Sequence, residues 1–190
     1  MTKVPVEITA RHIHLAKKEC DILFGKNRQL TVLKNISQPG QFAAKETINV
    51  IGPKGELKGV RIVAPLRDKS QLEITATDAR NLGIEAPYHV SGEFKDAARV
   101  TLVGPKGKAV SPCAIIAFRH LHLSTAEGKK MGLKKNQMVS VIVGQERKLT
   151  FHNVIVRCGE RHKLSVHLDT DEANAAGLKS CGYGQLIRKK

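Results

Sequence analysis

The chain has 190 residues, 41% of them hydrophobic, with 32 Lys and Arg against 17 Asp and Glu and a formal charge of +15. That is enough apolar content for a real core, and no apolar run approaches the ~20 residues of a membrane helix, so disordered and membrane-spanning classes are excluded. The positive charge attracts polyanions, but aromatics are only 4% and no helix-turn-helix, zinc-finger or RNA-recognition signature is present. A basic surface that draws in a small multiply phosphorylated ligand therefore fits better than nucleic acid.

The first patterned segment, Glu7 to Leu15, carries Arg11-His12-Ile13-His14-Leu15 as a strand, followed by an amphipathic stretch ending at Gly25. It begins too early for a signal peptide to precede it, and Cys20, Cys113, Cys158 and Cys181 are scattered with no C-x-x-C pair. A cytoplasmic protein with free thiols is the expectation. Short β-branched runs come next, at Thr47–Ile51, Val60–Val63, Val100–Val103, Met138–Val143 and Asn153–Val156, punctuated by Gly-Pro-Lys-Gly turns at 52–55 and 104–107. Thr77-Asp78 and Thr170-Asp171 each precede an Ala/Asn-rich stretch stopped by glycine, which reads as a short N-capped helix. The basic end, Arg188-Lys189-Lys190, reads as frayed.

An internal repeat organises these elements. Arg119-His120-Leu121-His122-Leu123 repeats the first motif at a displacement of 108, and Val154–Gly177 repeats Val60–Gly83 at a displacement of 94. The first copy thus carries about 14 extra residues, placed around Gln38-Pro39-Gly40-Gln41. After the second motif, Ser124 and Glu127 form a capping box and Gly132 a left-handed C-cap, whereas Ala16 gives the first helix a poorer start. Two homologous halves follow, residues 1–100 and 101–190. The fold class is mostly β, two small β-barrel domains capped by short α-helices, with exchange of strands between barrels allowed.

In a strand, residues i and i+2 share a face, so His12 with His14 and His120 with His122 each present two imidazoles side by side. One such pair is also what a solvated sheet face shows; two at equivalent repeat positions point to metal. Glu73 and His167 occupy the same aligned position and supply a third ligand to each, as an exposed carboxylate and a sheet histidine on the blander reading. The half-sites are His12, His14, Glu73 and His120, His122, His167, a donor set suited to Zn²⁺, with Mn²⁺, Co²⁺ or Fe²⁺ as substitutes. Arg67 can fork onto a phosphate or lie solvated on the surface. Arg11 and Arg119 face away from the pairs, and His89, His152 and His162 have no repeat partner and read as structural or surface groups.

These motifs, with Ser37 to Ala44, Pro65-Leu66-Arg67, Thr77-Asp78-Ala79-Arg80 and His167 to Asn174, resemble the PduL-type phosphate acyltransferases, of which phosphate propanoyltransferase is the named example; the resemblance covers about residues 4–187. It implies two β-barrel domains, two zinc ions per chain on the six residues above, and exchange of a short acyl group, acetyl or propanoyl, between coenzyme A and phosphate. It further implies Arg67 as the phosphate-contacting catalytic residue and Gln38, Gln41, Gln71, Ser91 and Arg157 as polar lining. Lys34, Arg61, His167 and Asn174 would contact coenzyme A. Thr9-Ala10 stands where the family has Ser-Asn, and the N-terminal extension that targets some relatives to a microcompartment is missing, so encapsulation is not expected. A metal-dependent thioester hydrolase on the same ligands, and a basic nucleic-acid-binding module, are the alternatives. Monomer and homodimer are both compatible.

Overall fold

The computed structural model describes residues 2–187, and Arg188, Lys189 and Lys190 lie outside the described residues. The first half contributes β1 (Thr2–Thr9), β2 (His12–His14), α1 (Lys17–Phe24), β3 (Val32–Asn35), β4 (Phe42–Ile51), β5 (Glu56–Ala64), β6 (Gln71–Ile74) and α2 (Ala76–Leu82). β7 (Tyr88–His89), β8 (Ala98–Val103) and β9 (Lys108–Ala117) follow. The remainder forms β10 (His120–Leu123), α3 (Thr125–Met131), β11 (Met138–Val143), β12 (Leu149–Cys158), β13 (Ser165–Asp169), α4 (Thr170–Ala175) and β14 (Gly182–Ile187). Each β-branched run lies inside one of these strands, which the pairing partners extend beyond the run itself.

One barrel closes in the order β1-β13-β10-β12-β11-β14. The other closes as β4-β5-β2-β6-β9-β8, with β3 and β7 attached to its sheet. The two rings have the same sequence of parallel and antiparallel contacts: each histidine strand runs parallel to one neighbour (β2 to β5, β10 to β12) and antiparallel to the other (β2 to β6, β10 to β13). Each barrel closes on its own apolar interior, which includes Ile13, Ile62, Leu72, Leu102 and Ala114 in one and Val6, Leu121, Val141, Val156 and Val166 in the other.

The compact units do not divide at residues 100 and 101. One comprises Arg11–Ala117; the other joins the N-terminal strand, through Ala10, to everything described from Phe118 onward. The reason is strand pairing: β1 runs parallel to β13 and antiparallel to β14, while β9, its repeat counterpart, runs parallel to β6. The opening strand of each repeat is therefore built into the barrel of the other.

The extra residues of the first copy are largely β3 and the loop carrying Gln38 and Gln41, for which the second barrel has no counterpart strand. α3 has the expected capping box, Ser124 with Glu127, and Gly132 adopts the left-handed conformation at φ 61°. α1 starts at Ala16 without a side-chain cap. α2 and α4 are capped by Thr75 and Asp169, not by the Thr-Asp pairs, with Asp78 and Glu172 completing the boxes. The Gly-Pro-Lys-Gly turns have a second role that spacing did not reveal. Lys54 N–H donates to Leu82 O and Lys106 N–H to Leu23 O, so each turn satisfies the end of a helix. A Cβ at Gly52 or Gly104 would come within 2.3 or 2.4 Å of those same carbonyl oxygens, so only glycine fits.

Candidate metal centre

The strand register assembles both triads. His12 stands directly across from Glu73 and His14 from Gln71 on the β2–β6 pair. On the β10–β13 pair, His120 stands across from His167 and His122 from Ser165. Cross-strand partners have Cβ atoms only ~5 Å apart, so the third side chain of each triad is delivered by pairing alone.

In the first triad the ligating atoms of His12, His14 and Glu73 all lie within 4.8 Å of one another, and Glu73 is buried. His12 Nε2 is 3.8 Å from Glu73 Oε2. His14 Nδ1 faces the carbonyl of Val63 at 3.0 Å; a carbonyl only accepts, so Nδ1 carries the proton and Nε2 the lone pair. Arg67 Nη2 donates to that lone pair at 2.8 Å. Burial first, then the proximity of His12 and of the Arg67 guanidinium, lowers the His14 pKa to about 3. Arg67 is itself seated by its backbone N–H, which donates to Leu15 O, and by Gln71 Oε1, 3.5 Å from its Nη1. The same fully buried Gln71 oxygen accepts from Ser91 Oγ and Gly92 N–H, and its Nε2 donates to Glu93 O.

In the second triad the ring centroids of His120, His122 and His167 are separated by 4.6, 4.7 and 5.0 Å. His120 Nδ1 donates to Phe118 O at 2.8 Å, which again directs Nε2 inward. His167 meets Thr9 Oγ1 through Nδ1 and Ser165 Oγ through Nε2. His122 is buried, and neither ring nitrogen has a hydrogen-bond partner among the described residues. Burial, then His120, His167, His162 and Arg157, holds its pKa far below the usual imidazole value. At His122 a desolvated imidazole without partners costs free energy that a bound cation would recover, and at the first triad the clustered His12, His14 and Glu73 atoms are a donor set of the kind that could hold a metal ion.

The other expected residues are distributed unevenly. Gln71 and Ser91 join Arg67 beside the first triad, and Arg157 pairs in register with His122. Gln38 is buried and Gln41 half-buried in the loop before β4. Arg61 donates to the carbonyls of Ala44 and Lys45, which ties β5 to β4. Lys34 on β3 and Asn174 on α4 are exposed. The arginine of each R-H-x-H motif faces away from its triad, as expected, and grips a helix cap: Arg11 pairs with Asp78 at 3.1 Å and Arg119 with Glu172.

Two residues at the second triad escaped the sequence reading. His162, read as a structural or surface group, stacks on His122 with centroids 4.4 Å apart. Glu7 stands across from His167 on the parallel β1–β13 pair, with Oε2 3.9 Å from its Nε2. Neither has a repeat signal: the counterpart of Glu7 is Ile115, across from Glu73, and His162 lies in a loop.

A family model described as phosphate propanoyltransferase matches residues 5–179. A phosphate propanoyltransferase of Shewanella putrefaciens is 44% identical over 188 residues, covering 98% of this chain and 87% of its own. One from Levilactobacillus brevis is 40% identical over 187 residues (98% and 89%), and one from Listeria monocytogenes 39% over 189 (99% and 89%).

Proposed function

The chain belongs to the phosphate propanoyltransferase family, an acyltransferase family that exchanges acyl groups with phosphate, and from that premise we propose that it moves a short acyl group between a coenzyme A thioester and inorganic phosphate at two zinc-binding triads. The observation that carries the reading is Arg67, whose guanidinium meets the buried His14 of the first triad at 2.8 Å. An arginine held against histidine and carboxylate donors is suited to seat an oxyanion beside a metal ion.

His12, His14 and Glu73 would hold one ion and His120, His122 and His167 the other. Bound Zn²⁺ supplies a Lewis acid that polarises a thioester carbonyl or receives a departing thiolate. Phosphate is already partly dianionic at neutral pH and needs no strong general base. Arg67, its position fixed by Gln71 and its backbone contact with Leu15, would hold the phosphate so that one oxygen attacks the thioester carbonyl carbon. A C–O bond forms, the C–S bond breaks, and the thiolate departs to take a proton from solvent. Arg67 also offsets the negative charge that grows as the carbonyl is attacked.

The test is thiol release from acetyl- and propionyl-coenzyme A, followed with a thiol-reactive dye, with and without phosphate and before and after chelation and Zn²⁺ restoration. Release that needs both phosphate and metal supports the exchange and ranks the acyl groups. Metal-dependent release without phosphate would mean hydrolysis instead.

A further inference from the structure

We infer that Ser70 is a positioning residue for Arg67: from within the Arg67 segment it supplies the helix cap that the first R-H-x-H motif lacks, and so ties that segment to the strand carrying His14. This rests on the reading above that Arg67 holds phosphate. α1 begins at Ala16 with no side-chain cap of its own. Instead the Ala16 N–H donates to Ser70 Oγ at 2.9 Å, and the Ser70 hydroxyl donates in turn to Glu19 Oε2 at 3.1 Å. In α3 the same link is direct, Ser124 N–H donating to Glu127 Oε2 at 2.8 Å. Ser70 therefore stands inside a capping box, between the N-cap N–H and the carboxylate that completes it.

The grip closes on one peptide unit. Its carbonyl, Leu15 O, accepts from the Arg67 N–H at 2.9 Å, and its N–H, that of Ala16, donates to Ser70. Both ends of Arg67-Asp68-Lys69-Ser70 are thus fastened just beyond His14, the residue that Arg67 Nη2 meets at 2.8 Å. Asp68 and Lys69 are exposed, whereas Ser70 is buried and leads directly into Gln71, whose Oε1 faces Arg67 Nη1. A long arginine side chain has many rotamers, so fixing its backbone at both ends of a short turn narrows where the guanidinium can go.

The second barrel has the opposite arrangement. Ser124 stands where the first has Ala16, and Leu164, which precedes the Gln71 counterpart Ser165, stands where it has Ser70. Leu123 O accepts there from Gly159 N–H, and Arg161 is exposed. The serine lies in the loop where Arg67 meets His14, and in the motif where the aligned arginine faces solvent.

Steady-state thiol release by the zinc-loaded full chain, with KM measured for phosphate and for propionyl-coenzyme A, tests this beside thermal melts. Ser70→Ala should raise the phosphate KM at least about fivefold, the size of one net hydrogen bond, with the propionyl-coenzyme A KM unchanged. A purely structural role would lower the melting midpoint and the amount of active protein but leave both KM values alone. Adding Ala16→Ser to Ser70→Ala restores a cap within the helix, so the midpoint should recover while the phosphate KM stays raised. Glu19→Ala, which removes the acceptor of the Ser70 hydroxyl and leaves Ser70 in place, should raise the phosphate KM by a smaller factor and decides the matter if Ser70→Ala does not fold. An unchanged phosphate KM in these variants, or one that returns to normal with the midpoint in the double variant, would overturn the inference and leave the role of Arg67 standing. A phosphate KM that is unchanged in Arg67→Ala as well would overturn both.

Discussion

The two triads sit at equivalent positions of equivalent barrels, yet their surroundings have diverged. The first combines two imidazoles with a carboxylate and has Arg67 hydrogen-bonded to His14; the second is all imidazole, with His162 stacked over His122. Arg161, which aligns with Arg67, is exposed. Val63, whose carbonyl orients His14, corresponds to Arg157. A strand repeat therefore copies ligand positions faithfully, because cross-strand register fixes them. It does not copy what surrounds them, because loops vary without disturbing the ladder.

If the proposed function holds, the largest effect should come from chelation: thiol release should be lost and return with Zn²⁺. Titrating that return sharpens the comparison, since activity that follows one of the two ions would mean the triads are not interchangeable. Next, Arg67→Ala should slow phosphate-dependent release on the order of 10²-fold, as for loss of one transition-state anion contact, while Arg161→Ala should leave the rate unchanged. Equal losses in the two variants would erase the difference between the centres.

Acid should act on both triads alike in the metal-free protein. His14 and His122 have folded pKa values below those of the unfolded chain, so below about pH 6.5 the unfolded state binds more protons and stability falls with pH. For His14 that loss continues down to about pH 3, and each such histidine adds a slope of up to about 1.4 kcal/mol per pH unit. Denaturant melts of chelated protein at pH 7 and pH 5 measure it, and equal stability at both would contradict these environments. The smallest effect separates the helices that follow the two motifs: Ser124→Ala should cost about 1 kcal/mol of stability, whereas Ala16→Gly, which removes no side-chain cap, should cost less from that source.

Much of the protein was legible in its sequence because its signals are local. Short β-branched runs marked the strands, the R-H-x-H motif and its copy marked both histidine pairs, and the alignment of Glu73 with His167 marked the third residues that β6 and β13 place across from them. The capping box of α3 and the hairpin turns were readable for the same reason. Tertiary structure alone decided which barrel each opening strand completes, since β1 and β9 carry no mark of their distant partners β13 and β6. It also decided which groups outside the repeat signal converge on the triads, Glu7 and His162 at one and Ser91 behind Gln71 at the other. Sequence spacing determines what one strand presents on one face; what meets it from elsewhere is set by long-range pairing and loop packing, which leave no periodic trace.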